Sequence, residues 1–275
     1  MKSSPKMDIS FIVKNAQEGK DPIHPYDKDI PIAAFRTTSI FHYTKELTNL
    51  KRILEDGIIP NFCSEDLASD VTIGIPMVSF CDIPLGRTYE HASKYGYFAI
   101  GLATEYGEKN NINPVFYVSN SDIMDMILRR TRNGYVDIKR FLSSPISGLY
   151  KKCYGQYNNK EISNYAENEW RYVVPQTRQF RWYKSESEYK EWRQGGIGNK
   201  KPNPINNPDL YNNRLRFKVF DINYLIVEKE ELVPQLVSYI CNLKTIGGTT
   251  GTLSITDKLY LISRIRSIES IRRDY

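Results

Sequence analysis

The chain has 275 residues, of which 40% are hydrophobic and 25% are charged, which is typical of a globular protein and excludes a disordered one. Its formal net charge of +6 is spread along the sequence, with one modest cluster at Arg264, Arg266, Arg272 and Arg273. Nucleic acid is therefore permitted as a partner but is not required. The 20 tyrosines suit clefts and interfaces as well as cores.

The cysteine pattern and the hydropathy pattern exclude several classes of protein. The four cysteines are far apart and form no Cys-x-x-Cys pair, so we expect no metal site. The N-terminus lacks the apolar core of a signal peptide, and no run approaches about 18 apolar residues, so we expect no membrane span. These features predict a cytoplasmic protein whose thiols are reduced.

The predicted organisation is a proline-containing N-terminal arm, residues 1–30, followed by a single α+β domain, residues 31–275. The predicted elements of the first half are a strand at 34–43, a helix that Thr44 caps and Gly57 ends, a polar loop at 61–73, a strand at 76–84, a helix at 88–95, a strand at 97–102, a helix at 104–109, a strand at 115–118 and a helix that Ser121 caps.

The second half begins with an irregular stretch, which we expect to cross the surface. The predicted elements are that stretch at 143–165, a strand at 167–174, a charged helix at 184–193, a long loop at 195–214, a pair of strands within 215–226, a helix from about 232 to 243, a last helix near 256–266 and a basic tail.

Only three histidines are available for chemistry, and His42 is the candidate among them. His24 lies in the polar arm and His91 in a charged helix, so we expect both at the surface. His42 ends an apolar strand immediately before a helix, where side chains face the mouth of a sheet. The alternative is a core histidine that bonds to a backbone carbonyl.

Glu169 is the candidate carboxylate. Alternation along the predicted strand places Glu169 and Arg171 on one face and Trp170 on the other. A glutamate near aromatic rings can hold a ribose hydroxyl or stabilise a cationic sugar intermediate. The alternative is a structural ion pair of Glu169 with Arg171 or a nearby lysine.

Four segments carry a resemblance to a known family. They are Phe41-His42-Tyr43-Thr44 with Ile53–Gly57, Ile75–Leu85, Lys94-Tyr95-Gly96 with Ile100-Gly101-Leu102, and Asn113-Pro114-Val115. From about residue 36 to the C-terminus, the chain resembles the abortive-infection family AbiGi. The resemblance implies a bacterial phage-resistance protein that is the antitoxin-like partner of a two-gene system.

A looser resemblance connects the same residues to ADP-ribosyltransferases. It rests on His42-Tyr43-Thr44, the helix that ends in Gly57, Ser79-Phe80 and Glu167-x-Glu169-Trp170-Arg171. It implies a split β-sheet core flanked by short helices, with NAD as cofactor. His42 and Glu169 would then be catalytic, and the residues that hold NAD would be His42, Tyr43, Thr44, Ser79 and Tyr95. Either Ser79 or Tyr95 would frame the nicotinamide.

Three functions stay open on the sequence alone. The first is a defence protein that acts by binding a partner toxin or a phage-derived component. The second is an active NAD-dependent ADP-ribosyltransferase or NAD-cleaving enzyme that modifies nucleic acid or protein. The third is a sensor of a small ligand or of nucleic acid. The second requires that His42 and Glu169 line one cleft, and it would fail if they lay on opposite sides of the sheet.

Overall fold

The computed structural model describes residues 37–68, 71–119, 145–157, 160–175, 183–196 and 201–274. The chain divides into two units, residues 1–35 and 36–275, and every described residue belongs to the second. The predicted N-terminal arm, His24 and the helix that Ser121 was predicted to cap lie outside the described residues. None of the described helices is long and apolar enough to cross a membrane.

The first half of the described chain alternates strands with short helices. Its elements are β1 (Ser39–Thr44), α1 (Leu47–Asp56), β2 (Asn61–Ala68), β3 (Val71–Cys81), α2 (Thr88–Tyr95), β4 (Phe98–Ala103), α3 (Thr104–Lys109), β5 (Ile112–Pro114) and β6 (Phe116–Val118).

The second half contains shorter strands and then a helical C-terminal part. Its elements are α4 (Pro145–Gly148), β7 (Tyr150–Lys152), β8 (Tyr154–Tyr157), β9 (Lys160–Ser163), β10 (Glu169–Val173), β11 (Lys184–Ser185), α5 (Glu186–Gln194), α6 (Pro208–Asn212), β12 (Ile222–Val227), α7 (Val233–Asn242), α8 (Ile255–Ser263), β13 (Ile265–Ser267) and α9 (Ile268–Asp274).

Nine of these strands form one mixed sheet. Its main path has the order β13-β12-β4-β1-β3-β10-β5, and β2 and β11 also pair with β3. The pairs are antiparallel except for β12 with β13. Strands and helices thus share one domain around a mixed sheet, which confirms the predicted α+β class.

Strand β3 is the centre of the sheet. Its first part pairs with β2 in a hairpin, and Met77 to Cys81 pair with β10. Buried residues form two clusters, and the sheet has apolar side chains on both faces. Ile40 of β1 belongs to the larger cluster, and Phe41 beside it belongs to the smaller one. The two faces of β1 therefore belong to different parts of the core.

Glycines end the two best-predicted helices. Gly57 follows α1 at φ +86°, and Gly96 follows α2 at φ +120°, and both angles favour glycine strongly. A Cβ on Gly96 would lie 2.2 Å from the carbonyl oxygen of Thr44, so the turn between α2 and β4 has no room for a side chain at this position. The predicted stops are confirmed, but Thr44 does not cap α1. Glu46 holds that position, without a side-chain hydrogen bond.

Three predicted loops contain regular structure instead. Residues 61–68 form β2, an edge strand that buries Phe62 and Leu67. The polar residues of this segment led to the prediction of a loop. The stretch at 143–165 holds α4 and β7 to β9 in its described part, and the loop at 195–214 holds α6. Tertiary pairing, which local composition does not encode, stabilises β7 and β9.

Two predictions near the C-terminus were also wrong. The expected pair of strands within 215–226 is a single strand, β12, and Leu215 forms only an isolated bridge to Ile58. The expected basic tail contains β13 and α9, and both bury isoleucines. The C-terminal segment therefore completes the sheet edge.

Candidate functional site

The register of the strands defines the face of the sheet that carries Glu169. Cys81 pairs with Phe41 on one side and with Glu169 on the other, and Ser79 pairs with Arg171. Paired residues of neighbouring strands project to the same face, and residues two apart in a strand do so too. All five side chains therefore share one face, which we call the Glu169 face.

His42 lies on the opposite face. It follows Phe41 in β1, so alternation directs its side chain away from Glu169. Its ring centroid is 5.7 Å from that of Phe80, and its Nδ1 is 2.9 Å from the carbonyl oxygen of Ser79. Burial, partly offset by this bond, lowers the pKa of His42, which keeps the imidazole neutral at pH 7. The prediction that His42 and Glu169 line one cleft is wrong.

Arg171 is the centre of a buried ion network on the Glu169 face. Its side chain is 1% exposed. Its Nε donates to Oε1 of Glu169 at 2.7 Å, and its Nη2 donates to Oε1 of Glu65 at 2.9 Å. Its Nη1 donates to the carbonyl oxygen of Gly148 at 2.8 Å. The guanidinium thus connects β10, β2 and α4 through charged or backbone acceptors.

Lys151 of β7 extends the network toward solvent. Its Nζ lies 2.5 Å from Oε2 of Glu169 and 3.0 Å from Oε2 of Glu167. The hydroxyl of Tyr95 donates to Oε1 of Glu167 at 2.6 Å, and Nζ of Lys94 lies 3.9 Å from the same oxygen. The network therefore ends at a rim of partly exposed residues from α2.

The ion pairs determine the charge states of the carboxylates. Burial opposes the ionisation of Glu169, but Arg171 and Lys151 outweigh it and lower the pKa of Glu169 to about 2. Burial raises the pKa of Glu65 despite the attraction of Arg171. Burial also opposes the charge of Lys151, but Glu169 and Glu167 raise the pKa of that amine. At pH 7 the network holds Glu169, Arg171 and Lys151 in their charged forms.

A cleft of about 230 Å³ opens on this network. The residues that line it are Phe41, Tyr43, Cys63, Glu65, Ser79, Phe80, Cys81, His91, Tyr95, Lys151, Glu167, Glu169 and Arg171. The cleft thus brings Tyr43, Ser79 and Tyr95, three of the residues that the looser resemblance implies, together with Glu169. His42 is not among its lining residues, and Thr44 lies with His42 on the opposite face.

His91 is part of the cleft, although it was expected at the surface. Its ring centroid lies 4.8 Å from that of Tyr43 and 4.5 Å from that of Tyr95. Burial lowers the pKa of His91 to about 4, although Glu167 acts in the opposite direction. The side chain is therefore a neutral member of an aromatic wall at pH 7.

Neither cysteine of the cleft has the properties of a nucleophile. Burial raises the pKa of Cys63, and burial together with nearby carboxylates raises that of Cys81 well above its usual value. In the part of the chain that the structure describes, no cluster of His, Cys, Asp or Glu could hold a metal ion. The clearest property of the cleft is therefore that its acidic and basic side chains are paired with one another.

Sequence reasoning missed several members of the network. Lys151 and Glu65 fell in segments that were predicted to be irregular, so neither had a predicted direction. A signal was present in Glu167-x-Glu169-x-Arg171, where charged residues recur at every second position beside an apolar strand. The structural alternative for Glu169, an ion pair with Arg171 and a lysine, is confirmed.

The predicted NAD site does not fit these residues as a set. The histidine that would contact the ribose lies on the other face of the sheet. Glu169 is bound by two cations, and the cleft volume is below the roughly 300–1,000 Å³ of common ligand pockets. We therefore derive no catalytic step through NAD.

Fold and site together define an α+β protein whose mixed sheet carries a buried ion network beneath a small cleft. The family model described as "Putative abortive phage resistance protein AbiGi, antitoxin" matches residues 58–228. The chain belongs to the AbiGi family, and this membership supports a role in abortive infection, a form of anti-phage defence.

A curated relative agrees with this family assignment. The abortive phage resistance protein AbiGi of Lactococcus lactis subsp. cremoris is 28% identical over 236 residues, which cover 73% of this chain and 89% of the relative. No solved structure matches the chain.

Proposed function

We propose that this protein acts in phage defence as a binding component, antitoxin-like, and that the cleft on the Glu169 face receives a partner protein. One observation carries the proposal: the charged groups beneath the cleft are paired with one another, while tyrosines beside it are exposed. Tyr95 is 40% exposed and Tyr165 is 62% exposed. Exposed tyrosines around a desolvated centre are typical of protein interfaces.

Tyr165 is connected to the network through one other ring. Its ring centroid lies 5.2 Å from that of Tyr117, and the Tyr117 hydroxyl accepts a hydrogen bond from the backbone N–H of Glu169 at 2.7 Å. Neighbouring elements expose further apolar side chains, namely Phe116, Ile146 and Tyr154. A partner that covers these groups would bury apolar area beside fixed charges, which favours both affinity and a defined orientation.

The first prediction concerns binding of the partner that the second gene of the system encodes. We expect Tyr95→Ala and Tyr165→Ala each to weaken the complex by about 5- to 30-fold, since interface tyrosines contribute roughly 1–2 kcal/mol each when truncated. Isothermal titration calorimetry with the purified partner measures this. Ile255→Ala removes an apolar side chain that is 75% exposed on α8, and it serves as the control.

Tyr95→Phe separates two contributions of the same residue. It keeps the ring and loses only the hydrogen bond to Glu167. We expect it to bind nearly as tightly as the unaltered protein if the ring makes the contact. Equal affinity of all three tyrosine variants and the control would contradict the proposed surface.

The alternative function is that of an NAD-dependent ADP-ribosyltransferase, as the looser resemblance implies. It would have to use Glu169 with Ser79 and Tyr95 and without His42. We expect no nicotinamide release from NAD above the blank, with partner and nucleic acid present, because the Glu169 carboxylate is held by Arg171 and Lys151. Release that Glu169→Gln abolishes and His42→Ala leaves unchanged would establish the enzyme instead.

A further inference from the structure

A second exposed surface lies away from the Glu169 face, in the segment that leads into β12. Burial alternates along this segment. Its buried residues are Leu215, Phe217 and Val219, and its exposed residues are Arg216, Lys218 and Phe220. Phe220 is 62% exposed although it is a large apolar residue. The segment therefore presents two cations and one aromatic ring to solvent in a row.

Helix α8 adds a second ring and a third cation to this row. The ring centroids of Phe220 and Tyr260 lie 5.1 Å apart, in an edge-to-face arrangement. The guanidinium carbon of Arg264 lies 4.2 Å from the centroid of the Tyr260 ring. The three side chains thus form a continuous layer in which each contacts the next.

Among the described residues, no carboxylate forms an ion pair with Arg216, Lys218 or Arg264. Nε of Arg264 is buried without a hydrogen-bond partner in that part of the chain, so the Tyr260 ring is what holds the guanidinium. Arg216 and Lys218 are exposed and Arg264 is half-buried, so the first two are open to an anionic ligand.

Asp221 follows Phe220, Asp257 lies about one helical turn before Tyr260, and both carboxylates accept hydrogen bonds from the backbone. Oδ2 of Asp221 accepts from the N–H of Lys218 at 2.6 Å. Oδ2 of Asp257 accepts from the N–H of Ser254 at 2.8 Å, where it caps α8. These two acids order the backbone and keep their charge, so three cations against two carboxylates leave a net charge of +1.

We propose that Arg216, Lys218, Phe220, Tyr260 and Arg264, which we call the aromatic–basic surface, bind single-stranded nucleic acid. The exposed ring of Phe220, which the half-buried ring of Tyr260 supports, can stack on a base of any sequence, and neighbouring cations contact the phosphates. Arg216 and Lys218 are separated by two residues of extended chain, about 7 Å, so they can contact different phosphates of one strand. This combination of rings and unpaired cations favours a nucleic acid strand over an acidic peptide, which offers no bases to stack.

Two other arginines of the C-terminal cluster, Arg272 and Arg273, differ in their surroundings, whereas Arg266 donates to the carbonyl oxygens of Ser263 and Ile265. Arg273 pairs with Glu230 at 3.1 Å. Arg272 lies 4.5 Å from the ring centroid of Tyr89, in a cavity that Glu228 and Glu269 also line. Both lie beside carboxylates, so their charge is offset locally. Arg273 is therefore a suitable control for a loss of charge alone.

Fluorescence anisotropy with labelled 12-residue poly-dT and poly-U strands tests the proposal on the full chain. We expect Phe220→Ala to weaken binding by about 5- to 150-fold, which is the range for losing one stacked base. With three phosphate contacts, the slope of log K against log salt is expected to be about −2. Arg264→Ala should reduce the magnitude of this salt slope by about 0.7, and Arg273→Ala should change neither the affinity nor the slope.

The design separates the possible outcomes. Thermal unfolding identifies any variant that fails to fold, and Phe220→Tyr, which keeps a ring, should bind nearly as the unaltered protein does. Tighter binding of one strand type identifies RNA or DNA as the ligand. Equal loss of binding in Arg273→Ala and Arg264→Ala would overturn the proposal, and so would binding of an acidic peptide but of neither strand. The partner-binding proposal is unaffected, because Tyr95 and Tyr165 lie on another surface.

Discussion

Arg171→Met is expected to lower the free energy of unfolding by about 3–5 kcal/mol, the range for removing one partner from a buried ion pair. Arg171 is 1% exposed and donates to the carboxylates of Glu169 and Glu65. Methionine fills much of the same volume, but it leaves Glu65 without its cation Arg171 and leaves Glu169 with Lys151 alone. Urea denaturation followed by circular dichroism measures the difference, provided that the transition stays two-state.

A surface arginine gives the matched control for that substitution. Arg193 of α5 is exposed, so Arg193→Met is expected to change stability by no more than about 0.5 kcal/mol. A double-mutant cycle with Glu169→Gln then isolates the interaction between Arg171 and Glu169. The double variant should lose less stability than the two single variants lose in sum. Strict additivity would show that the pair with Glu169 contributes nothing, and that Arg171 stabilises the fold through its other contacts, which include Glu65 and Gly148.

Stability is also expected to fall in acid because of Glu169. The pKa of Glu169 is about 2 in the fold, against an ordinary value of 4.5. A lowered pKa stabilises the fold above pH 4.5, and this contribution is lost as the pH falls toward 2. Its size is about 3 kcal/mol, from 1.36 kcal/mol for each pKa unit. Glu65 acts in the opposite direction, because burial raises its pKa and its contribution is lost as the pH rises.

Urea denaturation at pH 7, 5, 4 and 3 measures this effect in the unaltered protein and in Glu169→Gln. Glutamine has no charge to lose, so the stability gap between the two proteins should narrow below pH 4.5. Glu186→Gln is the control, since Glu186 forms an exposed pair with Lys190 on α5. A gap that stays constant from pH 7 to pH 3 would contradict the assignment of a low pKa to Glu169.

The elements that the sequence predicts best are those with a local cause. The stops at Gly57 and Gly96 follow from the backbone angles that glycine allows, and α2 spans the predicted residues. Strand β2 was missed because Ser64, Glu65 and Asp66 interrupt its apolar pattern, and the pairing shifts register beyond Asp66. A strand whose stability comes from its hairpin partner has no local signal of comparable strength.

The candidate site was predictable to the extent that alternation determines it. The period of two in β10 places Glu169 and Arg171 on one face, and this is confirmed. The face of the sheet on which His42 lies depends on the pairing of Phe41 with Cys81. The position of Lys151 beside Glu169 depends on the pairing of β6 with β7. Both registers join residues that are distant in sequence, which periodicity within one strand cannot specify.

The two-residue spacing of Glu169 and Arg171 limits how this region can diverge. An insertion or deletion of one residue between them would turn one of the two to the opposite face, into the larger apolar cluster. An unpaired charge there would cost about 3–5 kcal/mol, a large share of the roughly 5–15 kcal/mol by which most domains are stable. Homologous chains that keep this network must therefore change length outside β10, and an intact Glu-x-Arg becomes a practical criterion for aligning distant members of the family.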